Sequence, residues 1–289
     1  MKSLELKAHA KINLTLEVLF RRRDGFHQIR TVLQELELCD ILYLEDIPGG
    51  RIELSCEDSL PQGEGNLAYE AARLLQRRYA PQKGVRIKLN KRIPLAAGLG
   101  GGSSDAAAVL LGLNKIWGLS LKKEILEELG ATLGSDVPFF LYGGTALAEG
   151  RGELVRALPP FPRTKVLLAA PAGLALSAAQ VYSFLDLDKI PEREVTAQVI
   201  HLLKGNKISG EETREEICKL LCNHLELSVF PRQKDVAFLK EKLLNRGLPA
   251  LLSGSGPTVF VLSHEERELQ EAGSELAAQG YRVILTKTI

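Results

Sequence analysis

Cysteines and long apolar runs are both scarce in this sequence. Its four cysteines among 289 residues are too few and too scattered for a disulfide framework. No apolar stretch approaches the ~20 residues that a membrane-spanning helix needs. Residues 2–7 (KSLELK) carry charges where a signal peptide needs an apolar run. We therefore expect a cytoplasmic protein that is not anchored in a membrane.

An excess of either charge is also missing. The 37 basic and 36 acidic residues give a formal net charge of +1. Surfaces that bind nucleic acid or anionic membranes normally carry a basic excess, so we expect neither as a partner. An anionic substrate then has to be held by local groups. The 45% hydrophobic and 25% charged residues are typical of a globular protein, and the length predicts two domains.

The most distinctive segment is residues 94–105 (PLAAGLGGGSSD). Four glycines in five positions remove the Cβ atoms that would keep a backbone away from a bulky ligand. Upstream, residues 85–89 alternate like a half-buried strand; downstream, Ser103, Ser104 and Asp105 are residue types that start helices. A strand, a glycine-rich loop and a helix N-terminus in this order indicate an anion site, because free N–H groups and a partial positive charge lie at the helix start.

Two common phosphate-binding signatures are absent from this segment. A Walker A loop needs a lysine after its glycines, and none follows here. A dinucleotide fingerprint needs a third glycine three residues after the second, but Ser103 and Asp105 stand three residues after Gly100 and Gly102. A flexible surface loop is the alternative. The position directly before a helix favours a phosphate loop.

The N-terminal segment predicts a hairpin with two notable polar residues. Residues 4–18 alternate like a strand, and Lys11 lies within it beside small alanines. A solvated strand lysine is the simplest interpretation of Lys11; a contact to a buried ligand is the other. After the turn signal at residues 24–25, Phe26 and His27 offer a ring and a titratable donor that suit a flat heterocycle. From these residues alone, a packed ring beside a surface histidine is the simpler interpretation.

Three further polar residues precede predicted helices. Asn66 is placed to cap one helix, and Ser120 to cap another over residues 121–133. Asp136 comes two residues before Pro138, where a third short helix can begin. We expect Asp136 to be an N-cap by default. The alternative is a catalytic base whose freedom is restricted by glycine and proline neighbours.

The C-terminal half predicts a sheet with helices, joined to the first half near the prolines of residues 158–162. The middle of this half, residues 195–225, is predicted to be helical. The other elements follow the order β-α-β-β-α-β, a ferredoxin-like order, at residues 165–171, 233–247, 250–252, 259–262, 265–279 and 281–285. The turn at residues 253–258 (SGSGPT) is either a loose hairpin or a wall packed on the phosphate loop. We therefore divide the chain into domains 1–158 and 159–289.

Five segments together resemble the GHMP kinases, and within them the branch that acts on cytidine diphosphate methylerythritol. They occur in one order at residues 10–14 (AKINL), 24–27 (DGFH), 94–105, 134–138 (GSDVP) and 252–257 (LSGSGP). The resemblance implies an α+β fold with an N-terminal mixed-sheet domain and a C-terminal ferredoxin-like domain. It implies a kinase that uses ATP and Mg²⁺ to phosphorylate the 2-hydroxyl of that substrate, as a monomer or homodimer. The alternatives are another GHMP kinase, such as homoserine kinase, and a non-catalytic ATP-binding regulator.

The resemblance also implies roles for particular residues. Asp136 is the implied general base, and Lys11 lies beside it. The implied substrate contacts are Asn13, Phe26, His27, Tyr182 and Asp136. The implied ATP contacts are Asn66, Pro94, Ala97, Gly98, Leu99, Gly100, Gly101, Gly102, Ser103 and Ser104. Either serine is a candidate to reach Mg²⁺ or a phosphate oxygen, with Ser104 the candidate metal contact.

The sequence departs from this branch at three places. Phe26 stands where a tyrosine is more usual, and His224 stands where an aspartate is common. Residues 176–179 (LSAA) lack the threonine often found before the helix that carries Tyr182. These departures concern nucleoside binding rather than the transfer reaction.

Overall fold

Two long strands open the chain and supply residues to two compact units. The computed structural model describes residues 2–57, 60–191, 194–205 and 210–289. The first unit comprises Met1–Ala10, Leu38–Pro94 and Gly100–Gly143. The second unit comprises Lys11–Glu37, Leu95–Leu99 and Gly144–Ile289. The proline-rich boundary at residue 158 lies inside the second unit, and the division into domains 1–158 and 159–289 stays a prediction.

The described elements occur largely in runs of strands and runs of helices, as is typical of an α+β fold. The strands are β1 Ser3–Arg21, β2 His27–Ile47, β3 Ile52–Ser55, β4 Gly84–Asn90, β5 Thr145–Gly150, β6 Leu154–Ala157, β7 Lys165–Pro171, β8 Cys222–Asn223, β9 Ala250–Leu252, β10 Val259–Ser263 and β11 Tyr281–Lys287. The helices are α1 Leu67–Tyr79, α2 Gly101–Ile116, α3 Lys123–Leu133, α4 Val137–Tyr142, α5 Ala178–Ser183, α6 Val195–Lys204, α7 Gly210–Lys219, α8 Glu226–Val229, α9 Lys234–Asn245 and α10 Glu266–Ala278. Residues 206–209 of the predicted helical region lie outside the described residues. Where the structure describes the chain, no helix is both long and apolar enough to cross a membrane.

In the first unit, helices α1–α4 accompany one part of the sheet. Strand β4 pairs antiparallel with the end of β2 and parallel with β3. Helix α2 lies directly on this sheet at Gly112, where a Cβ atom would come within 2.5 Å of Leu44 Cδ1 and 2.6 Å of Leu6 Cδ1. Gly112 therefore allows α2, the alanine-rich helix that follows the glycine-rich loop, to approach the strands closely.

The predicted cap at Asn66 is confirmed, whereas the one at Ser120 is wrong. Asn66 Oδ1 accepts from Ala68 N at 3.0 Å at the start of α1. Helix α3 starts at Lys123 without a side-chain cap, and Ser120 has a φ of 54°. The Asn114 side chain accepts from Leu121 N at 2.9 Å and donates to Leu121 O at 3.1 Å. These two bonds hold the connection outside the helix.

The second unit contains the predicted ferredoxin-like arrangement. Its four-stranded sheet has the order β11-β7-β10-β9, with antiparallel pairs throughout. Helices α9 and α10 each separate two strands of this sheet along the chain. One buried cluster joins residues of this sheet, of both helices and of β1, including Leu16, Leu167, Leu239, Val261 and Leu269. The ferredoxin-like half is therefore confirmed, and its core continues to the strand that carries Lys11.

Candidate active site

The phosphate loop is held in its first half by a second glycine-rich turn. Both belong to the second unit, and Gly98 has a φ of 74°. A Cβ atom on Gly98 would lie 2.1 Å from Ser253 O and 2.9 Å from Gly256 N. Ser253 Oγ donates to Gly98 O at 3.0 Å. The interpretation of residues 253–258 as a wall against the phosphate loop is therefore confirmed.

The second half of the loop becomes the N-terminus of α2. This helix starts at Gly101, earlier than Ser103, Ser104 and Asp105 had indicated. Gly100 occupies the cap position in the left-handed region, with a φ of 72°, and no side chain caps the helix. Because the first amides of a helix have no intrahelical acceptor, this start presents its N–H groups and its dipole to an anion. No acidic residue lies in the first turn to oppose one.

Lys11 and Asn13 are buried side by side in the second unit. They stand two residues apart on β1, and their exposed fractions are 4% and 3%. Lys11 Nζ donates to Asn13 Oδ1 at 2.8 Å, and Asn13 Nδ2 donates to Thr31 Oγ1 at 2.8 Å. Lys11 N also donates to Leu99 O at 3.0 Å, which joins β1 to the phosphate loop. The simpler interpretation of Lys11 as a solvated lysine is therefore wrong.

The turn at Gly254 completes this group. A Cβ atom there would lie 3.1 Å from Gly98 O, 3.2 Å from Lys11 Nζ and 3.5 Å from Asn13 Oδ1. The second unit thus brings together two predicted site residues, the first half of the phosphate loop and the second glycine-rich turn. Because Gly254 has no Cβ, the turn can approach the lysine ammonium without a side chain at that position.

Asp136 occupies the cap position of α4 in the first unit but does not cap it. Its φ and ψ of −84° and −12° are helical, and its side chain makes no capping hydrogen bond. The predicted position at the start of the helix is therefore confirmed, but the side chain does not make the hydrogen bond of an N-cap. Pro138 follows in the first turn, and a Cβ atom on Gly134 would lie 3.7 Å from Ser103 Oγ. The half-buried Asp136 thus lies in a short, restrained segment next to the first turn of α2.

Asn66 lies near the start of α2 in the first unit, because the next residue, Leu67, packs close to Gly102. A Cβ atom on Gly102 would lie 3.7 Å from Leu67 Cδ1, so the starts of α1 and α2 are close together. Asn66 itself is buried, with its Nδ2 donating to Pro61 O at 3.0 Å. The side-chain amide therefore shapes the entry to α1.

Three rings and an arginine gather in the second unit around the hairpin. The His27 and Tyr182 rings stack with their centroids 5.3 Å apart and an interplanar angle of 26°. Phe26 is 48% exposed, and the Arg151 guanidinium lies 4.9 Å from its ring centroid. Burial and the neighbouring positive charge of Arg21 lower the pKa of His27, so its ring is neutral at pH 7. The structure thus brings His27 and Tyr182 together and leaves the Phe26 ring open to solvent.

The family of this chain follows from its sequence relatives. The GHMP kinases N terminal domain matches residues 66–144, and the GHMP kinases C terminal domain matches residues 206–282. The 4-diphosphocytidyl-2-C-methyl-D-erythritol kinase of Geobacter sulfurreducens is 41% identical over 100% of both chains. The kinase of that name from Bacillus subtilis is 42% identical over 93% of this chain and 91% of its own.

The chain belongs to the 4-diphosphocytidyl-2-C-methyl-D-erythritol kinase family of the GHMP kinases. It is therefore an ATP-using small-molecule kinase. A crystal structure of 4-(cytidine 5'-diphospho)-2C-methyl-D-erythritol kinase matches with a TM-score of 0.80 and 33% identity over 99% of both chains. The homoserine kinase of Cytophaga hutchinsonii matches with a TM-score of 0.73 over 100% of this chain and 95% of its own. Its 19% identity shows the shared GHMP kinase fold alone.

Two residues of this GHMP kinase that support the second glycine-rich turn were missed by sequence reasoning. Asn223 Nδ2 donates to Leu252 O and to Gly254 O, both at 2.8 Å. Glu226 Oε1 accepts from Leu252 N at 3.1 Å and pairs with Lys240. Sequence spacing gives no signal for these bonds, because they join segments 26–31 residues apart.

The departure at His224 has a structural role in this kinase. The residue is 4% exposed, and its Nδ1 accepts from Val18 N at 3.1 Å. Burial lowers the pKa of His224, which keeps the ring neutral and able to accept this bond. His224 therefore ties the segment before α8 to β1.

Proposed function

We propose that this protein transfers the γ-phosphoryl group of ATP to the 2-hydroxyl of 4-diphosphocytidyl-2-C-methyl-D-erythritol. This reaction belongs to the methylerythritol phosphate route to isoprenoids. The observation that carries the proposal is 41–43% identity with kinases of that name over 92–100% of this chain. The glycine-rich anion site and the aromatic cluster support it, because the two substrates bring phosphates and a flat nucleobase.

ATP binds in this proposal along residues 94–104, with its phosphates at the start of α2. The support is the glycine-capped helix start, whose amides and dipole favour negative charge. Phosphoryl transfer depends mainly on such positioning and charge stabilisation. Asn66 and Leu67 stand at the adenine end of the site, beside Gly102.

Asp136 is the general base in this proposal. It accepts the proton of the 2-hydroxyl, the hydroxyl oxygen attacks the γ-phosphorus, and the bond to the bridging oxygen breaks to release ADP. The proton then passes from Asp136 to water. The short segment that holds its backbone, with Gly134 before it and Pro138 after it, supports this role. Lys11, held by Asn13, supplies positive charge for the transferring group.

Mg²⁺ is proposed to enter with ATP rather than to occupy a preformed cage. The described part of the chain has no group of three histidine, cysteine or acidic residues that suits a metal. A serine hydroxyl at the start of α2 fits Mg²⁺, which is commonly held by one or two protein groups together with substrate phosphates. Ser103 is the better candidate contact, since it is partly exposed whereas Ser104 is 2% exposed. Bound Mg²⁺ supplies charge neutralisation at the phosphate oxygens.

The cytidine end of the substrate is assigned to Phe26, His27 and Tyr182, with Asn13 nearer Lys11. The stacked pair and the exposed ring offer flat apolar surfaces, and a neutral His27 ring offers one donor and one acceptor. Phe26 keeps the ring but lacks a hydroxyl, so its contribution here is stacking.

Coupled measurement of ADP release tests the base. We expect Asp136→Asn to lower kcat by about 10²- to 10⁴-fold, the usual contribution of a general base. Asp235→Asn, an exposed aspartate on α9, is the matched control and should retain activity. Turnover by Asp136→Asn at the wild-type rate would remove Asp136 from this role.

A substrate panel tests the reaction itself. The cytidyl substrate should support ADP release, while homoserine and mevalonate should not. Activity on homoserine without any cytidine would favour the other GHMP kinase. Binding of an ATP analogue with no ADP formed on any of these alcohols would favour the non-catalytic regulator.

A further inference from the structure

Three charged side chains are buried together in the first unit, apart from the residues assigned above. Asp40 is 0% exposed, and the side chains of Lys91 and Asp105 are 6% and 4% exposed. Lys91 Nζ donates to Asp40 Oδ2 and, at 2.7 Å, to Asp105 Oδ2. These residues, which we call the latch, lie on β2, directly after β4 and on α2.

Asp40 holds the chain where it enters the phosphate loop. Its Oδ1 accepts from Arg92 N at 2.5 Å and from Ile93 N at 2.8 Å. These two amides lie between the end of β4 and Pro94, the first residue of the loop. A buried carboxylate that accepts two amides and an ammonium group has a fixed orientation. The path from strand to loop is therefore set by this side chain.

Asp105 and Lys91 hold the chain where it leaves the loop. Asp105 lies four residues after Gly101, the first residue of α2. A Cβ atom on Gly101 would lie 3.2 Å from Lys91 Nζ and 3.0 Å from Ile93 Cγ2. The start of the helix therefore rests on the lysine, and the same lysine binds both carboxylates. Both ends of the loop are tied to one ammonium group.

Stability does not account for the latch. Buried ion groups are costly to desolvate, and well-packed apolar side chains often stabilise a protein as much or more. The latch also leaves Asp105 Oδ1 buried without a hydrogen-bond partner among the described residues. An arrangement with this cost is better explained by the geometry it enforces.

We infer that Asp40, Lys91 and Asp105 are positioning residues that fix both ends of the phosphate loop, so that the first amides of α2 point at the phosphates of ATP. This inference rests on the proposed function, since it requires ATP at that loop. Loss of the latch should weaken ATP binding and slow transfer. It should leave binding of the cytidyl substrate unchanged, because Asn13, Phe26, His27 and Tyr182 belong to the second unit, whereas the latch belongs to the first.

Two substitutions at one position provide the test. Asp105→Ala removes a charge-assisted hydrogen bond, which predicts a KM for ATP raised on the order of tenfold or more. Asp105→Asn keeps an oxygen acceptor for Lys91 and should restore a KM for ATP near the wild-type value. The KM for the cytidyl substrate should stay within about twofold in both. Equal changes in both KM values, or no change in Asp105→Ala, would overturn the inference.

A second variant covers the case in which Asp105→Ala does not fold. Asp40→Asn/Lys91→Met/Asp105→Leu removes all three charges, and the amide oxygen introduced by Asp40→Asn can still accept from Arg92 N and Ile93 N. We expect this variant to fold with a thermal midpoint near that of the wild type and to have the raised KM for ATP. A stable variant with a normal KM for ATP would overturn the inference.

Calorimetric titration with a non-hydrolysable ATP analogue separates the latch from the reaction. The latch predicts a raised Kd for the analogue in Asp105→Ala and in the variant that removes all three charges, whatever the second substrate. If the wild type binds the analogue but releases no ADP, the proposed reaction fails while the latch is still tested by Kd. If the wild type does not bind the analogue, both fail.

Discussion

Asp105→Asn should change how the stability of this protein depends on pH. Burial raises the pKa of Asp105 to about 7 from its ordinary value of 3.8. The ammonium of Lys91 opposes the rise, and the charge of Asp40 adds to it. In the unfolded chain the same carboxyl ionises near its ordinary value. The two states therefore bind different numbers of protons between about pH 4 and about pH 7.

The sign of the effect follows from this difference. Within that window the folded state holds the Asp105 proton and the unfolded state has released it. The free energy of unfolding therefore falls as the pH rises through the window, and it is level again above about pH 7. A gap of about three pKa units corresponds to at most about 4 kcal/mol. Asparagine carries no charge at any of these pH values, so Asp105→Asn should lose this dependence.

Urea denaturation followed by circular dichroism, from about pH 4.5 to about pH 8.5, measures the effect. Other carboxyl groups titrate in the same range, so the quantity to compare is the variant's free energy of unfolding minus that of the wild type. This difference should increase from pH 4.5 to pH 7 and then level off. A difference that is constant, or that increases toward low pH, would refute the assignment of a buried, proton-holding Asp105.

Further predictions concern the loop and the aromatic cluster. Gly98→Ala should weaken binding of the ATP analogue and lower the thermal midpoint far more than Gly102→Ala. The first Cβ would meet Ser253 O at 2.1 Å, whereas the second has an ordinary contact at 3.7 Å; equal effects would contradict this. Phe26→Ala should raise the KM for the cytidyl substrate about 5- to 150-fold, as expected for loss of stacking on a base, and leave the KM for ATP unchanged. The NMR titration midpoint of His27 should lie below the ordinary 6.5, because burial disfavours its charged form; a midpoint above that value would contradict the cluster geometry.

Local sequence patterns predicted the elements whose formation depends on near neighbours. The cap at Asn66 and the β-α-β-β-α-β order of the C-terminal half are such cases. The glycine tract was also read correctly as a loop before a helix, although its glycines start α2 at Gly101, ahead of the serines. Ser120 was predicted wrongly because the Asn114 side chain, which lies seven residues before Leu121, fixes the connection there.

The sequence by itself determined the family, the presence of a glycine-rich loop before a helix and the residue types available for chemistry. Those properties depend on short motifs, such as residues 94–105, that can be recognised without the structure. Only the tertiary structure decided that Lys11 is buried beside Asn13 and that Asp136 does not cap its helix. It alone joined Lys91 to a carboxylate 51 residues away. The physical reason is that burial and ion pairing depend on which distant segments pack together. Local periodicity cannot predict such contacts.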